Sequence, residues 1–163
     1  MTIATPFAEY VGEVLPAWID GNDHMNMAYY VVMFDLATDV IWDALGIGIA
    51  YKRATRCGTF AAEAHILYEQ EMRVGERGRV HSRLLGADSK RLHVTHELYR
   101  ETDGKRAAAQ EFLFLHVDLE ARRVIPWPAE IYARLQDGVS AHAALPPLTW
   151  TGRRVALPLP VAA

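Results

Sequence analysis

Cysteine is nearly absent: Cys57 is the only one in 163 residues. An internal disulfide and a multi-cysteine zinc site are thereby excluded, and a single thiol fits a reducing cytoplasm. A basic excess is also lacking, with 17 Lys and Arg against 20 Asp and Glu and a net charge of −3. Nothing in that balance points to nucleic acid or an anionic membrane as partner, and any polyanionic ligand must be met by a local cluster. No run reaches the ~18 apolar residues of a membrane span, and no basic-then-apolar leader pattern opens the chain. Internal repeats and low-complexity tracts are missing too. What is present is an ordinary globular composition, 51% hydrophobic and 23% charged. The length fits one domain able to bury roughly 70% of its unfolded surface.

Polar residues are concentrated in one short stretch. Between Asp20 and Asn26 stand Asp20, Asn22, Asp23, His24 and Asn26, flanked by the apolar run 14–18 and by an apolar segment from Met27. The spacing predicts a helix over Met27–Leu45, with Met27, Tyr30, Val31, Phe34, Thr38, Ile41 and Leu45 on one face. Met33, Leu36, Val40 and Trp42 widen that face, so the helix should be buried on several sides. Asp35, Asp39 and Asp43 form a ladder read as a solvated edge, and Gly46 and Gly48 end the helix.

Beyond a basic loop (Lys52, Arg53, Arg56) the hydrophobic period becomes two. Strands are expected over 60–72, 79–85, 92–100 and 105–119, as a four-stranded antiparallel meander with 7–15 as a fifth. A short helix over 129–136 closed by Gly138 should follow, then an extended tail over 138–163 lying on the domain or on a partner. The predicted fold class is α+β, a curved antiparallel sheet wrapped around one long helix, with the domain over 1–137.

The polar stretch suits acyl chemistry. A carboxylate just upstream of a helix start can share a crevice with the helix's free N–H groups, which would stabilise an oxyanion. Asp20 is the main candidate, either as a nucleophile or as a base acting on water. Its bland alternative is a turn-forming Asp in an Asp-Gly pair. Asn26 and His24 are candidate supporting groups, and Asp23 is expected to cap the helix. Gly58 offers a second amide and Thr59 adjoins it. Glu63 would reach the site from a strand, and Lys90 and Arg91, just after a turn, form a basic pair able to meet phosphates. The remaining histidines form no ligand constellation, and neither metal nor cofactor is expected.

These residues resemble the hot-dog-fold acyl-CoA thioesterases, in the 4-hydroxybenzoyl-CoA thioesterase-like branch. That branch carries an aspartate, two residues, then Gly-His-Val/Met-Asn running into the central helix; the matching residues are Asp20, His24, Met25 and Asn26, with Tyr30 and Phe34 beyond. Glu63-Ala64-His65, Leu84 to Asp88, Lys90 to His93 and Leu115 to Asp118 are similar to the bacterial betainyl-CoA thioesterases of carnitine breakdown. Two positions depart from the pattern: Asp23 stands where the family has glycine, and Trp18 where many members carry a second acid.

The resemblance implies a cytoplasmic acyl-CoA thioesterase, acting as a homodimer or homotetramer with sites between subunits. A trimethylammonium acyl group such as betaine would suit aromatic faces beside a carboxylate, with Trp18, Tyr29 and Tyr30 nearest in sequence. A hot-dog hydratase or dehydratase, and a non-catalytic acyl-CoA-binding module, are the alternatives.

Overall fold

The computed structural model describes residues 3–157, and residues 1–2 and 158–163 lie outside it. The chain order is β1 (Val11–Glu13), α1 (Met27–Leu45), α2 (Ile49–Thr55), β2 (Cys57–Tyr68), β3 (Arg77–Ala87), β4 (Arg91–Arg100), β5 (Arg106–Asp118), β6 (Arg123–Val124) and α3 (Ala129–Ala143). One antiparallel sheet has the order β1-β3-β4-β5-β2, with β6 beside β5. The sheet curls around α1, the hot-dog architecture.

Local chemistry sets the ends of α1. The Asn26 side chain accepts from Ala28 N at 3.0 Å, and Gly46 closes the helix in the left-handed region at φ 70. Tyr30, Met33, Phe34, Ala37, Thr38, Ile41, Trp42 and Leu45 are buried against Val80, Leu84, Val94, Leu98, Phe112 and Phe114 of the sheet. Each large apolar side chain so buried contributes about 1.5–3 kcal/mol. His96 enters this core in neutral form, between Ser82 Oγ (2.8 Å) and Thr38 Oγ1 (3.0 Å). Thr38 donates its hydroxyl to Phe34 O, so it accepts from His96 Nε2–H and leaves Nδ1 to accept from Ser82.

Several sequence expectations need correction. Met27, Val31 and Leu36 are exposed, Met27 at 65%, so α1 keeps a second apolar face that one chain does not cover. The predicted meander holds for β3 to β5 only, because β2 pairs with β5. The link from β2 to β3 passes the start of α1, where Tyr30 Oη donates to Gln70 O, Met72 N donates to Tyr30 Oη, and Met25 N donates to Met72 O. Those bonds carry the chain across the end of the sheet to its far side. The loop with Lys52 and Arg53 is the helix α2. The expected first strand shrinks to Val11–Glu13 plus a single bridge between Phe7 and Ser82.

Gly138 does not end a helix. It is buried within α3, where a Cβ would lie 2.6 Å from Leu84 Cδ1, so glycine lets α3 sit close on β3. The extended segment begins after Ala143, and its described part folds onto the same domain. Arg83 Nη1 donates to Pro146 O, Trp150 is buried with Nε1 donating to Glu97 Oε1 at 3.0 Å, and Gly152 N donates to Glu111 Oε2.

Candidate active site

The stretch before α1 is tightly folded. A 3-10 turn at Pro16–Trp18 leads to Asp20, whose N–H donates to His24 O while Asp23 N donates to Asp20 O. Asn22 N donates to Asp20 Oδ1 at 2.8 Å, the side-chain turn expected of an Asp-Gly pair. Oδ2 has no hydrogen-bond partner among the described residues. Asn26 N donates to Trp18 O and Met25 N to Met72 O, so the loop is pinned at both ends.

His24 lies alongside. Its Nδ1 is 3.9 Å from Asp20 Oδ1, beyond hydrogen-bonding distance, and 3.3 Å from Met25 O. Side-chain exposures of 24% for Asp20 and 32% for His24 leave both accessible to a substrate. Beside His24 opens a cleft of about 310 Å³ lined by His24, Met25, Met27, Tyr30, Tyr68, Glu69, Gln70 and Glu71. Within the first turn of α1, Ala28 N is met by the Asn26 side chain and Tyr29 N by Asn26 O. Met27 N has no acceptor among the described residues, which leaves one helix-start donor for an incoming carbonyl.

The cap belongs to Asn26 and not to Asp23, reversing the expected emphasis. Asp23 instead occupies the left-handed region at φ 60. Glycine enters that region freely, whereas aspartate is among the few side chains that tolerate it. The departure from glycine is therefore accommodated by the backbone.

The other candidate residues do not reach this loop within one chain. Gly58 and Thr59 lie near the opposite end of α1, on a cleft of about 480 Å³ with Asp39, Trp42 and Phe114. Nineteen helical residues separate the two ends by about 28 Å. Lys90 and Arg91 occupy the β3–β4 turn at that far end, where His116 N donates to Lys90 O and Arg91 pairs with Asp88 at 2.6 Å. Glu63 faces the outside of the sheet, beside His65, His93 and Glu111. A register shift between Ala61 and Glu63 sits at the middle of β2. Trp18 and Tyr29 stack on each other, ring centroids 5.1 Å apart, whereas Tyr30 reaches the cleft. Tyr68, Glu69 and Glu71 line the same cleft; sequence reading missed them because they belong to a strand end and the link after it. Among the described residues no group of three His, Cys, Asp or Glu side chains is placed to hold a metal ion.

The thioesterase-like superfamily model matches residues 14–135, three quarters of the chain and all of the site elements. The chain belongs to the thioesterase-like superfamily. A Pseudomonas aeruginosa betainyl-CoA thioesterase is 37% identical over 149 residues, covering 91% of this chain and 94% of that one. A Rhizobium meliloti protein named L-carnitine dehydrogenase/betainyl-CoA thioesterase is 32% identical over 88% of this chain, which spans 29% of that longer protein. A Pseudomonas putida structure solved as a candidate thioesterase superposes on this thioesterase with TM-score 0.80 at 32% identity, covering 94% of this chain and 98% of that one. A Staphylococcus aureus protein solved with CoA shares the fold, with TM-score 0.85 at 24% identity over 97% of this chain and 99% of that one. No helix among the described residues is long and apolar enough to cross a membrane.

Proposed function

We propose that this acyl-CoA thioesterase hydrolyses betainyl-CoA in the cytoplasm, without a cofactor, using Asp20 on the loop before α1. The observation that carries the reading is Asp20, with an unbonded Oδ2, standing 3.9 Å from His24, which lines an open cleft together with Met27 at the helix start. Asp20 acts on the thioester carbonyl directly or by taking a proton from water. Oxygen adds to the carbonyl carbon, and the oxyanion is met by Met27 N–H, a contact worth about 3 kcal/mol for a well-placed donor. The C–S bond then breaks, and the thiolate leaves and takes up a proton. Where water was the nucleophile the free acid is formed at once; where Asp20 attacked directly, a water molecule hydrolyses the resulting Asp20 acyl anhydride to the free acid and the carboxylate. His24 orients the water, and Asn26 holds the helix start through its cap.

The scattered candidates fit a two-fold dimer. β2 has a free edge, and Met27, Val31, Val32 and Leu36 leave an exposed apolar stripe on the neighbouring helix. A bare strand edge beside uncovered apolar surface favours pairing with another chain. Antiparallel pairing of β2 with a second copy reverses one strand along the other. The partner's Gly58 and Thr59 then fall beside this chain's Tyr68, which lines the cleft with His24. The partner's Lys90 and Arg91 come to the same side, where the phosphates of coenzyme A would need them.

The test is coenzyme A release, followed with a thiol reagent, across a panel of acyl-CoAs that includes betainyl-CoA and aromatic thioesters. Asp20→Ala should lower kcat on the order of a hundred- to ten-thousandfold, as loss of a positioned base or nucleophile does. Undiminished release by this variant sinks the role given to Asp20. Binding without release from any thioester would instead make the chain an acyl-CoA-binding module.

A further inference from the structure

The acyl group of betainyl-CoA makes a strict geometric demand. Its quaternary nitrogen stands one methylene from the thioester carbonyl, about 2.5 Å from the carbonyl carbon. Whatever recognises the cation must therefore lie beside the catalytic carboxylate, in the same cleft. Trimethylammonium has no N–H, so it cannot donate a conventional hydrogen bond; aromatic faces and carboxylates are the groups that hold it.

The cleft next to His24 supplies both. Tyr30 and Tyr68 meet edge to face, centroids 5.4 Å apart at 82°, giving two walls at nearly a right angle. Tyr30 is fixed by its hydroxyl, which donates to Gln70 O and accepts from Met72 N; Tyr68 Oη donates to Met27 O at the helix start. Glu69 and Glu71 complete the wall. Their carboxylates are held from behind: Arg106 Nε and Nη2 donate to Glu69 at 2.8 and 2.7 Å, and Arg73 Nη2 donates to Glu71 at 2.8 Å. These guanidinium bonds keep both carboxyls below the ordinary glutamate range, hence ionised. Neither arginine lines the cleft, so the lining carries acidic and aromatic groups with His24 as its one basic residue.

Arg106 is itself locked. It pairs with buried Glu97, which also accepts from Trp150 Nε1, and its guanidinium lies 5.6 Å from the Trp150 ring. The segment after α3 thus fixes, through Glu97 and Arg106, where the Glu69 carboxylate stands.

Resting on the function proposed above, we infer that Tyr30, Tyr68, Glu69 and Glu71 form the pocket for a quaternary-ammonium acyl head and make the enzyme selective for cationic acyl groups. The experiment compares kcat/KM for betainyl-CoA with that for 3,3-dimethylbutanoyl-CoA, which replaces the charged nitrogen by carbon in the same shape. The native enzyme should prefer the cation by at least about tenfold. Glu71→Gln and Tyr68→Leu, both at exposed positions, should each lower that ratio by about fivefold or more. A native ratio near one, with both thioesters hydrolysed, overturns the pocket and leaves the thioesterase reading standing. A ratio that neither variant moves overturns it as well. Release from neither thioester overturns the proposed substrate and the pocket with it.

Discussion

Acidification should unfold this protein through its buried histidines before its carboxylates respond. His96 is fully buried, and desolvation depresses its pKa from 6.5 to about 3. Its folded form stays neutral between Ser82 and Thr38, while the unfolded chain takes up a proton near pH 6.5. A histidine whose folded pKa lies below its unfolded value costs nothing above the unfolded pKa. It destabilises progressively as pH falls from there towards the folded pKa. The slope is about 1.4 kcal/mol per pH unit, so His96 alone removes about 2 kcal/mol by pH 5 and about 4 kcal/mol by pH 3. Against a typical stability of about 5–15 kcal/mol, the first figure is already large. Burial lowers His116 and His142 too, adding to the same trend. The carboxyls held low by their partners, Asp103 at about 2 among them, act in a lower window, below about pH 4.5. Urea unfolding at fixed protein concentration between pH 7.5 and 5 isolates the histidine part. His96→Gln removes the titration and should flatten the slope by about 1.4 kcal/mol per unit. An unchanged slope in that variant would refute the assignment.

Three further outcomes follow from packing. Gly138→Ala should cost about 1–3 kcal/mol, read by urea midpoint, because its new methyl meets Leu84 where α3 lies on β3. Trp150→Phe preserves most of the burial but deprives Glu97 of a donor; a loss of about 1–3 kcal/mol is expected, together with weaker anchoring of the segment after α3, visible as faster limited proteolysis there. Asn26→Ala removes the α1 cap at about 1 kcal/mol and should lower kcat as well, since the proposed carbonyl donor lies at the helix start; Asn26→Asp, which retains the cap, should restore the stability.

Much of the fold was legible because it is written in local chemistry. Gly46 marks the end of α1, and period-two alternation with turn residues marks β3, β4 and β5. What escaped reading depends on distant contacts. A glycine late in a helical pattern ordinarily signals an end, yet at Gly138 it serves a close approach to Leu84, 54 positions earlier. Sequential strands usually pair, yet β2 joins β5 because Tyr30 and Met25 tether the link after it beneath α1. The solvent-facing role of Met27, Val31 and Leu36 has no signature either, since apolar residues read alike whether a sheet or a second chain covers them.

The site shows the same division more sharply. Asp20, His24 and Asn26 are near in sequence, and the fold keeps them near because Asn26 N to Trp18 O and Met25 N to Met72 O close the loop. Gly58, Thr59, Lys90 and Arg91 gather at the other end of a 19-residue helix, and no rearrangement that preserves the sheet brings them to Asp20 in one chain. If they act in catalysis, they act on a neighbour's substrate; a two-fold reversal of β2 is the simplest operation that takes them there. Mixing an Asp20→Ala chain with a Gly58→Val chain checks this. Each homodimer would be inactive, whereas the heterodimer pairs an intact Asp20 with an intact Gly58 in one of its two sites. About a quarter of native activity should return in an equal mixture, since half the dimers are mixed and each has one sound site. A fully active Gly58→Val homodimer would remove Gly58 from the reaction, and no recovery on subunit exchange between two inactive variants would overturn the two-fold arrangement.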